Sequence, residues 1–468
     1  MQSERRSTWT LAAWALPCLP MAGLGLPLIV YLPEYYSSEL GLSLATVGAT
    51  FALVRLLDIG FDPFIGGVMD ATRSPIGRFR LWFLISVPIL ALASWMLFMA
   101  EPGVTSGFLL LWLLVVYAGT SISTLAQVAW GAVLSPAYDQ RSRIYGWWQA
   151  GNVVGIILVL TLPAVLPLIG ITEHAAGVRA MGWFIVVLTP ITIATAVWRV
   201  PEPQVVTPAH KPGIRAYLDL FRRPNVVRLL VVDFLTGAGP AITGALFFFF
   251  MERAKGFDKG QASLLLLVYF LGGLAGAPIW TRLATRFGKH RTLAASNVMY
   301  AAVTICVLMI PQASVPVGAL LMFLIGVPYA AGAFLLRAMM ADVGDEERLQ
   351  GGVDRTGLLY ALLSGTVKIG SAVAVGVAFP VLQMFGFDPA AGGSSEGLEG
   401  LRWLFVLAPA ALALLAAGLI SRFPLSAERH ADIRRQLAER DLARAAPEMA
   451  EEPLMTDEVH VYTQRPAQ

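Results

Sequence analysis

Twelve stretches of the chain, at residues 8–33, 44–68, 81–100, 107–133, 145–169, 178–198, 226–250, 261–281, 292–311, 316–341, 356–384 and 402–422, are apolar over the length a helix needs to cross a bilayer. Hydrocarbon offers the backbone no water to bond, so such stretches fold as helices whose peptide groups satisfy one another. Twelve spans of roughly 20 residues use about 240 positions, and with 56% of the 468 residues hydrophobic and 14% charged, little remains for a soluble domain. Soluble enzymes, nucleic-acid binders and secreted disulfide scaffolds are thereby excluded as classes. Cys18 and Cys306 lie inside apolar runs, and His174, His210, His290, His430 and His460 fall in loops or the tail. Neither a disulfide framework nor a transition-metal site in the membrane is expected. Met1 to Arg6 is too short and polar to be a signal peptide ahead of the first span.

An even number of spans puts both chain ends on one face. Of the 34 Lys and Arg residues, 27 fall on that face and five, Arg179, Arg253, Lys255, Lys259 and Arg402, on the other. The positive-inside rule therefore predicts a multi-pass protein of the plasma (inner) membrane with both termini cytoplasmic. Residues 199–225 are polar and hold Pro201, Pro203, Pro208 and Pro212, the composition of a linker. The expected organisation is an N-terminal six-helix bundle over 1–200, a cytoplasmic linker over 201–225, a C-terminal six-helix bundle over 226–422 and a cytoplasmic tail over 423–468. The loops after span two (Gly66 to Arg80) and span eight (Thr285 to Arg291) both combine Gly with two or three cations, as parallel repeats do.

The two remaining cations, Arg55 and Lys368, lie deep within spans, where charge costs several kcal/mol and is a functional signal by default. Arg55, Asp58 and Asp62 are spaced i, i+3 and i+7, one stripe of the second helix. Counting inward from each span's ends places Lys368 of span eleven at about the depth of Asp58. Span eight, the repeat of span two, has no charge between Leu264 and Trp280. The acids are therefore not demanded by architecture, and paired carboxylates in low dielectric favour a shared proton or a bound monovalent cation. Lys368 would compete with that cation or close the empty site; a static ion-pair cluster is the other reading.

Gly66, Asp70, Gly77, Arg78 and Arg80 form a Gly-X-X-X-Asp…Gly-Arg-X-Arg pattern that resembles the loop signature of the major facilitator superfamily. The run Tyr31-Leu32-Pro33-Glu34-Tyr35-Tyr36, Gly41-Leu42-Ser43 and Arg55-Leu56-Leu57-Asp58-Ile59-Gly60-Phe61-Asp62-Pro63, with the later blocks Ala341-Asp342-Val343-Gly344-Asp345 and Thr366-Val367-Lys368-Ile369-Gly370, resembles the glycoside-pentoside-hexuronide:cation symporter family within it. The resemblance, which spans residues 8–422, implies an all-α membrane protein of twelve transmembrane helices in two six-helix bundles, the major facilitator fold. It implies that Asp58 and Asp62 bind the coupling H⁺ or Na⁺ and that Lys368 borders that site. It also implies that Ala22, Trp148 and Ala126 or Gln127 stand where sugar-carrying members hold charged groups, which argues against a galactoside.

The expected function is cation-coupled symport of a small organic solute, of sugar or glycoside class by resemblance. An amphipathic or lipid-like solute is the alternative, and a transporter-like membrane sensor is one from another class. No nucleophile and base share a depth, so no enzyme is expected. Asp58, Asp62, Lys368 and Arg55 are the cation-site candidates; Gly66, Asp70, Gly77, Arg78 and Arg80 form the conformational-switch loop. Thr124, Gln127, Trp148, Gln149, Asn152 and Asp233 are candidates for the solute cavity, as polar or aromatic groups within or at the ends of apolar runs. The partners implied are the solute, the cation and the lipid bilayer, with no organic cofactor and no nucleic acid, and a monomer is expected. From Ser426 to Arg444, acids and arginines alternate at helical spacing with Ile433 and Leu437 on one face, the pattern of a cytoplasmic surface helix.

Overall fold

A computed structural model describes residues 7–134, 138–171, 173–202, 219–351, 355–388 and 394–450. Most of the expected linker (203–218) and the tail beyond residue 450 lie outside the described residues. Twelve helices are long and apolar enough to cross a membrane, and no strand occurs among the described residues. They are α1 (Thr8–Ser38), α2 (Leu44–Ala71), α3 (Arg78–Phe98), α4 (Ser106–Leu134), α5 (Tyr138–Val165), α6 (His174–Arg199), α7 (Pro224–Phe249), α8 (Lys259–Phe287), α9 (Lys289–Cys306), α10 (Val315–Gly351), α11 (Thr356–Met384) and α12 (Ser395–Ser421). A thirteenth, α13 (Ala427–Ala450), follows the last span.

Local chemistry sets the helix ends. Ser43 caps α2 by accepting from the Thr46 amide, and Asp258 caps α8 in a reciprocal box with Gln261. Gly77 and Gly288 cap α3 and α9 at φ of +107° and +88°, in matching positions of the two halves. Several boundaries lie beyond the expected spans, and three of them bear on the packing. The first helix continues past residue 33 to Ser38, because no breaker intervenes before Gly41 at φ +80°. The tenth runs to Gly351 and projects a charged end carrying Asp342, Asp345, Glu346 and Glu347. The seventh continues as a π turn, Phe250–Ala254, which meets a second π turn, Trp403–Leu407, through stacked Phe250 and Phe405 rings 4.0 Å apart.

The packing repeats with a period of six helices. In the first half α1 packs on α5 and α6, α2 on α4, and α3 on α4 and α6; in the second α7 packs on α11 and α12, α8 on α10, and α9 on α10 and α12. The crossings between halves obey the same rule, since α2 on α11 maps onto α8 on α5. The buried core is less symmetric along the membrane normal. On the face away from the chain ends, one continuous cluster joins both halves, from Leu24, Tyr31 and Phe51 through Phe248, Phe379 and Phe405. On the face of the chain ends there are two separate clusters, one around Trp14, Phe83 and Trp130 in the first half and one around Trp280, Leu335 and Met340 in the second. The halves are thus packed together at one face and parted at the other. Ile433 and Leu437 of α13 are buried in the second of these clusters, so the tail helix docks on the protein.

Small residues allow the closest approaches. A Cβ on Gly326 of α10 would lie 1.9 Å from the Tyr269 carbonyl oxygen of α8, and one on Gly272 would lie 2.1 Å from that of Phe323. Gly326→Ala is therefore expected to cost on the order of 1–3 kcal/mol and to lower the melting temperature in detergent. Gly25→Ala, with nothing within 4 Å, should leave it nearly unchanged; equal melting of the two variants would contradict the backbone contact.

Candidate functional site

Where α2 crosses α11, the Lys368 ammonium lies 2.8 Å from Asp58 Oδ2 and 2.6 Å from Asp62 Oδ2. The two acids share a helix face at i, i+4 spacing, so one cation from the facing helix reaches both. Asp58 is 6% exposed; its other oxygen accepts from the Ser121 hydroxyl of α4 at 2.8 Å, and Arg55 stands 3.9 Å from Oδ2. Arg55 also lies over the Tyr117 ring, 4.2 Å from its centroid. Asp62 Oδ1 is buried with no hydrogen-bond partner. Two acids and two cations make the cluster neutral, and the free carboxylate oxygen leaves it one ligand short of satisfaction. If Lys368 withdraws, one positive charge is missing, which a proton or a monovalent cation among carboxylate and hydroxyl oxygens would supply. The structure brings together all four residues singled out from the sequence.

A second ionic network joins the halves near the opposite face. Glu34 of α1, 1% exposed, lies 2.8 Å from His174 of α6 and 3.0 Å from Lys259 of α8. Lys259 also binds Glu39 at 2.6 Å. Sequence reasoning missed it: Glu34 and His174 fall just beyond apolar runs and read as loop residues. A signal was present, since uncharged aromatic or apolar neighbours flank Glu34 on both sides, Val30-Tyr31-Leu32-Pro33 before it and Tyr35-Tyr36 after it. Nearby, Gln383 of α11 accepts from the Ala45 amide of α2 at 2.9 Å, which strengthens the same closure.

A cavity of about 350 Å³ lies mainly in the second half, among α7, α8, α9, α10, α11 and α12, and is bounded by Leu26, Ile29 and Val30 of α1. Of the six solute-cavity candidates, Asp233 lines it, and its carboxylate accepts from the Thr366 hydroxyl of α11. The other five lie elsewhere. Gln127 is 2% exposed and donates to the Trp14 carbonyl at 2.9 Å, tying α4 to α1. Asn152 bonds back to the Trp148 carbonyl of its own helix at 2.8 Å, Trp148 is half-buried in the first-half cluster, and Thr124 and Gln149 are exposed. Arg337 of α10 lines the cavity and was not singled out from the sequence, because its place near the end of span ten reads as interfacial.

The candidate switch loop ties α3 to the start of the linker. Glu202 accepts from the Phe79 and Arg80 amides, each at 3.0 Å, an acid at a helix N-terminus. Arg80 donates to the Val200 carbonyl and lies over Trp130, whose indole donates to the Pro201 carbonyl at 3.1 Å. Gly77 has φ +107°, a conformation that L side chains rarely adopt, and a Cβ there would also press on the Glu202 carboxylate at 2.3 Å. Arg78 lies over Phe79, nothing lies within 4 Å of a Cβ built on Gly66, and the Asp70 side chain is outside those described.

Residues 13–427 match the family described as MFS/sugar transport protein. The chain belongs to this family. Among curated relatives, a glucuronide carrier protein homolog of Escherichia coli (strain K12) is 23% identical over 413 residues, 86% of this chain and 90% of that protein. An isoprimeverose transporter of Lactiplantibacillus pentosus is 24% identical over 81% of each chain. The crystal structure of the nucleoside transporter NupG superposes with a TM-score of 0.66 at 14% identity, over 90% of this chain and all of that one, which shows the shared fold. The protein is therefore a multi-pass membrane member of the MFS/sugar transport family, as its twelve apolar helices require. Among its described residues no group of three or more His, Cys, Asp or Glu is placed to hold a metal ion.

Removing the shared cation strands two carboxylates in a low-dielectric site. Lys368→Met should destabilise the protein by roughly 3 kcal/mol, read as a lower melting temperature in detergent. Adding Asp58→Asn should recover much of that loss; a double mutant no more stable than the single would show that the two groups do not compensate each other.

Proposed function

We propose that this family member is a cation-coupled symporter of a sugar- or glycoside-class solute, working by alternating access between its two halves. The observation that carries the reading is Lys368 bridging Asp58 and Asp62 across the crossing of α2 and α11. A proton or Na⁺ bound to the two acids replaces the Lys368 charge, frees α11 from α2 and lets the halves rotate; without it, Lys368 keeps the carboxylates neutralised and the crossing intact. Arg55 holds the residual balance of charge. The core, joined at one face and parted at the other, supports a state open toward the chain ends. The excess of cations on that face supports cytoplasmic termini.

In this reading residues 1–200 form the bundle with the cation site, 201–225 the linker, 226–422 the second bundle and 423–468 the tail. Gly66, Asp70, Gly77, Arg78 and Arg80 act as the switch that re-seats α3 against the linker. The relatives named as a glucuronide carrier protein homolog and an isoprimeverose transporter support a glycoside as cargo. One observation favours a more amphipathic member of that class: beyond its few polar groups the cavity wall is apolar, with Leu26, Phe247, Leu266, Met322 and Ile325. The protein catalyses no bond chemistry and acts as a monomer, since one chain supplies both sides of the crossing.

Reconstituted vesicles with an imposed H⁺ or Na⁺ gradient test this. Over a panel of glycosides, the parent should couple solute entry to acidification or Na⁺ uptake. Asp62→Asn should lose uphill accumulation while keeping downhill exchange, because the amide keeps the shape and loses the charge. Accumulation like the parent's in both Asp62→Asn and Asp58→Asn would refute the cation site.

A further inference from the structure

The ionic network on the face away from the chain ends holds a titratable group that the cation site does not use. The His174 side chain is 5% exposed, with Nε2 2.8 Å from Glu34 Oε2; its ring is stacked on Tyr31 at 6.2 Å and meets Phe248 edge-on at 5.3 Å. A carboxylate oxygen at that distance needs a hydrogen on Nε2, so the charge of the ring depends on whether Nδ1 carries one as well. Histidine is the side chain whose charge ordinarily changes between about pH 5 and 8.

The charges around it come from both halves. Glu34 and Glu39 of α1 meet one ammonium, that of Lys259 of α8, at 3.0 and 2.6 Å. Two acids and one ammonium leave the cluster one negative charge when the imidazole is neutral and none when it is protonated. Of the other elements here, α7 presents the uncharged Phe248 ring, and the turn Leu166–Ile169 after α5 has no titratable side chain. Asp258 precedes Lys259 in the cap of α8, Glu173 precedes His174, and Arg179 and Glu101 lie around Tyr35. Glu34 and His174 belong to the first half, Lys259 and Phe248 to the second. Parting the halves at this face therefore keeps the carboxylate beside the imidazole and takes away the ammonium and the apolar wall. Both changes favour the charged ring: a carboxylate no longer met by Lys259 attracts an imidazolium more strongly, and water enters a site that solvated charge poorly. Linkage is reciprocal, so a proton on His174 must in turn favour the parted arrangement.

We propose that His174 is a proton-binding gate residue, and that a proton taken up from the compartment on this face loosens the hold of Glu34 on Lys259 and opens the face. The assignment rests on the reading of the chain as a carrier that alternates between two arrangements of its halves. The proton at His174 is separate from the cation at Asp58 and Asp62, which lie where α2 crosses α11. Access from that compartment then rises with its acidity, whatever ion drives accumulation.

The test uses full-length protein in lipid nanodiscs, with Cys18 and Cys306 replaced by serine and nitroxide labels on Ser106→Cys and Ser395→Cys. These are exposed positions at the starts of α4 and α12, one in each half and both on this face. Double electron–electron resonance gives the ratio of parted to joined molecules. Between pH 8 and pH 5.5 that ratio should rise at least about fivefold, the lower end of ordinary coupling between two sites. His174→Gln and His174→Phe, the second of which keeps a ring between Tyr31 and Phe248, should both hold the pH 8 ratio throughout. Lys259→Gln should raise the ratio already at pH 8. A parent without a pH response, a response unchanged in either His174 variant, or a Lys259→Gln protein as closed as the parent at pH 8 would overturn the proposal. Asp62→Asn separates it from the cation site: that variant should keep the pH response of the labels even though it loses accumulation in vesicles. Loss of the response in Asp62→Asn would place the titrating group at the cation site and overturn the assignment to His174.

Discussion

A half-buried ammonium shared by two carboxylates ties α11 to α2 in the state described. In a medium that solvates charge poorly, Asp58 and Asp62 fix where α11 can lie, because Lys368 must reach both from the facing helix. That requirement bears on the crossing of α2 and α11, and the repeat carries the same pairing to the crossing of α8 and α5. At the α2 and α11 crossing ions add to the packing of Gly48 on Phe379 and Gly376 on Ala52, whereas Leu264 to Trp280 of α8 carries no charge. The ionic crossing is where a change of charge would alter the energy of the interface most.

The distribution of apolar contact explains why such a change can be felt across the whole molecule. Packing is continuous between the halves only on the face away from the chain ends, where the Glu34, His174 and Lys259 network adds a second ionic contact. On the other face each half closes on its own core. Cores of this density do not deform gradually, so a rearrangement of the halves would move each as a body about the joined region. The docked α13 and the anchoring of Glu202 at the start of α3 each belong to a single half.

Helix periodicity lets α11 serve two surfaces. Successive residues point about 100° apart, so Thr366 and Val367 can address Asp233 and the cavity while Lys368 addresses α2. A helix wedged in this way between a cation cluster and a cavity offers a direct mechanical route between the two. The small residues along its neighbours, at Gly48 and Gly376, bring α2 and α11 close enough for that route to be short.

The number of spans, their helical nature, the repeat and the acid stripe on α2 were all legible in the residue order, because each depends on local quantities: apolar length, backbone satisfaction in hydrocarbon and the 3.6-residue period. The depth match of Lys368 with Asp58 was legible too, since counting residues along a helix measures distance along the membrane normal. What counting could not supply was lateral position. Gln127 and Asn152 look like cavity groups because both are polar within apolar runs, yet Gln127 faces α1 and Asn152 bonds its own backbone. Glu34 and His174 look like loop residues, yet they are buried, because a lysine from the other half arrives to compensate them. Arg337 looks interfacial, yet it lines a cavity that exists only once six helices surround it. The sequence by itself determined how deep each charge lies and which face of its own helix it occupies; the tertiary structure alone decided what stands opposite, because the partner of a buried charge is chosen by how distant helices pack around it.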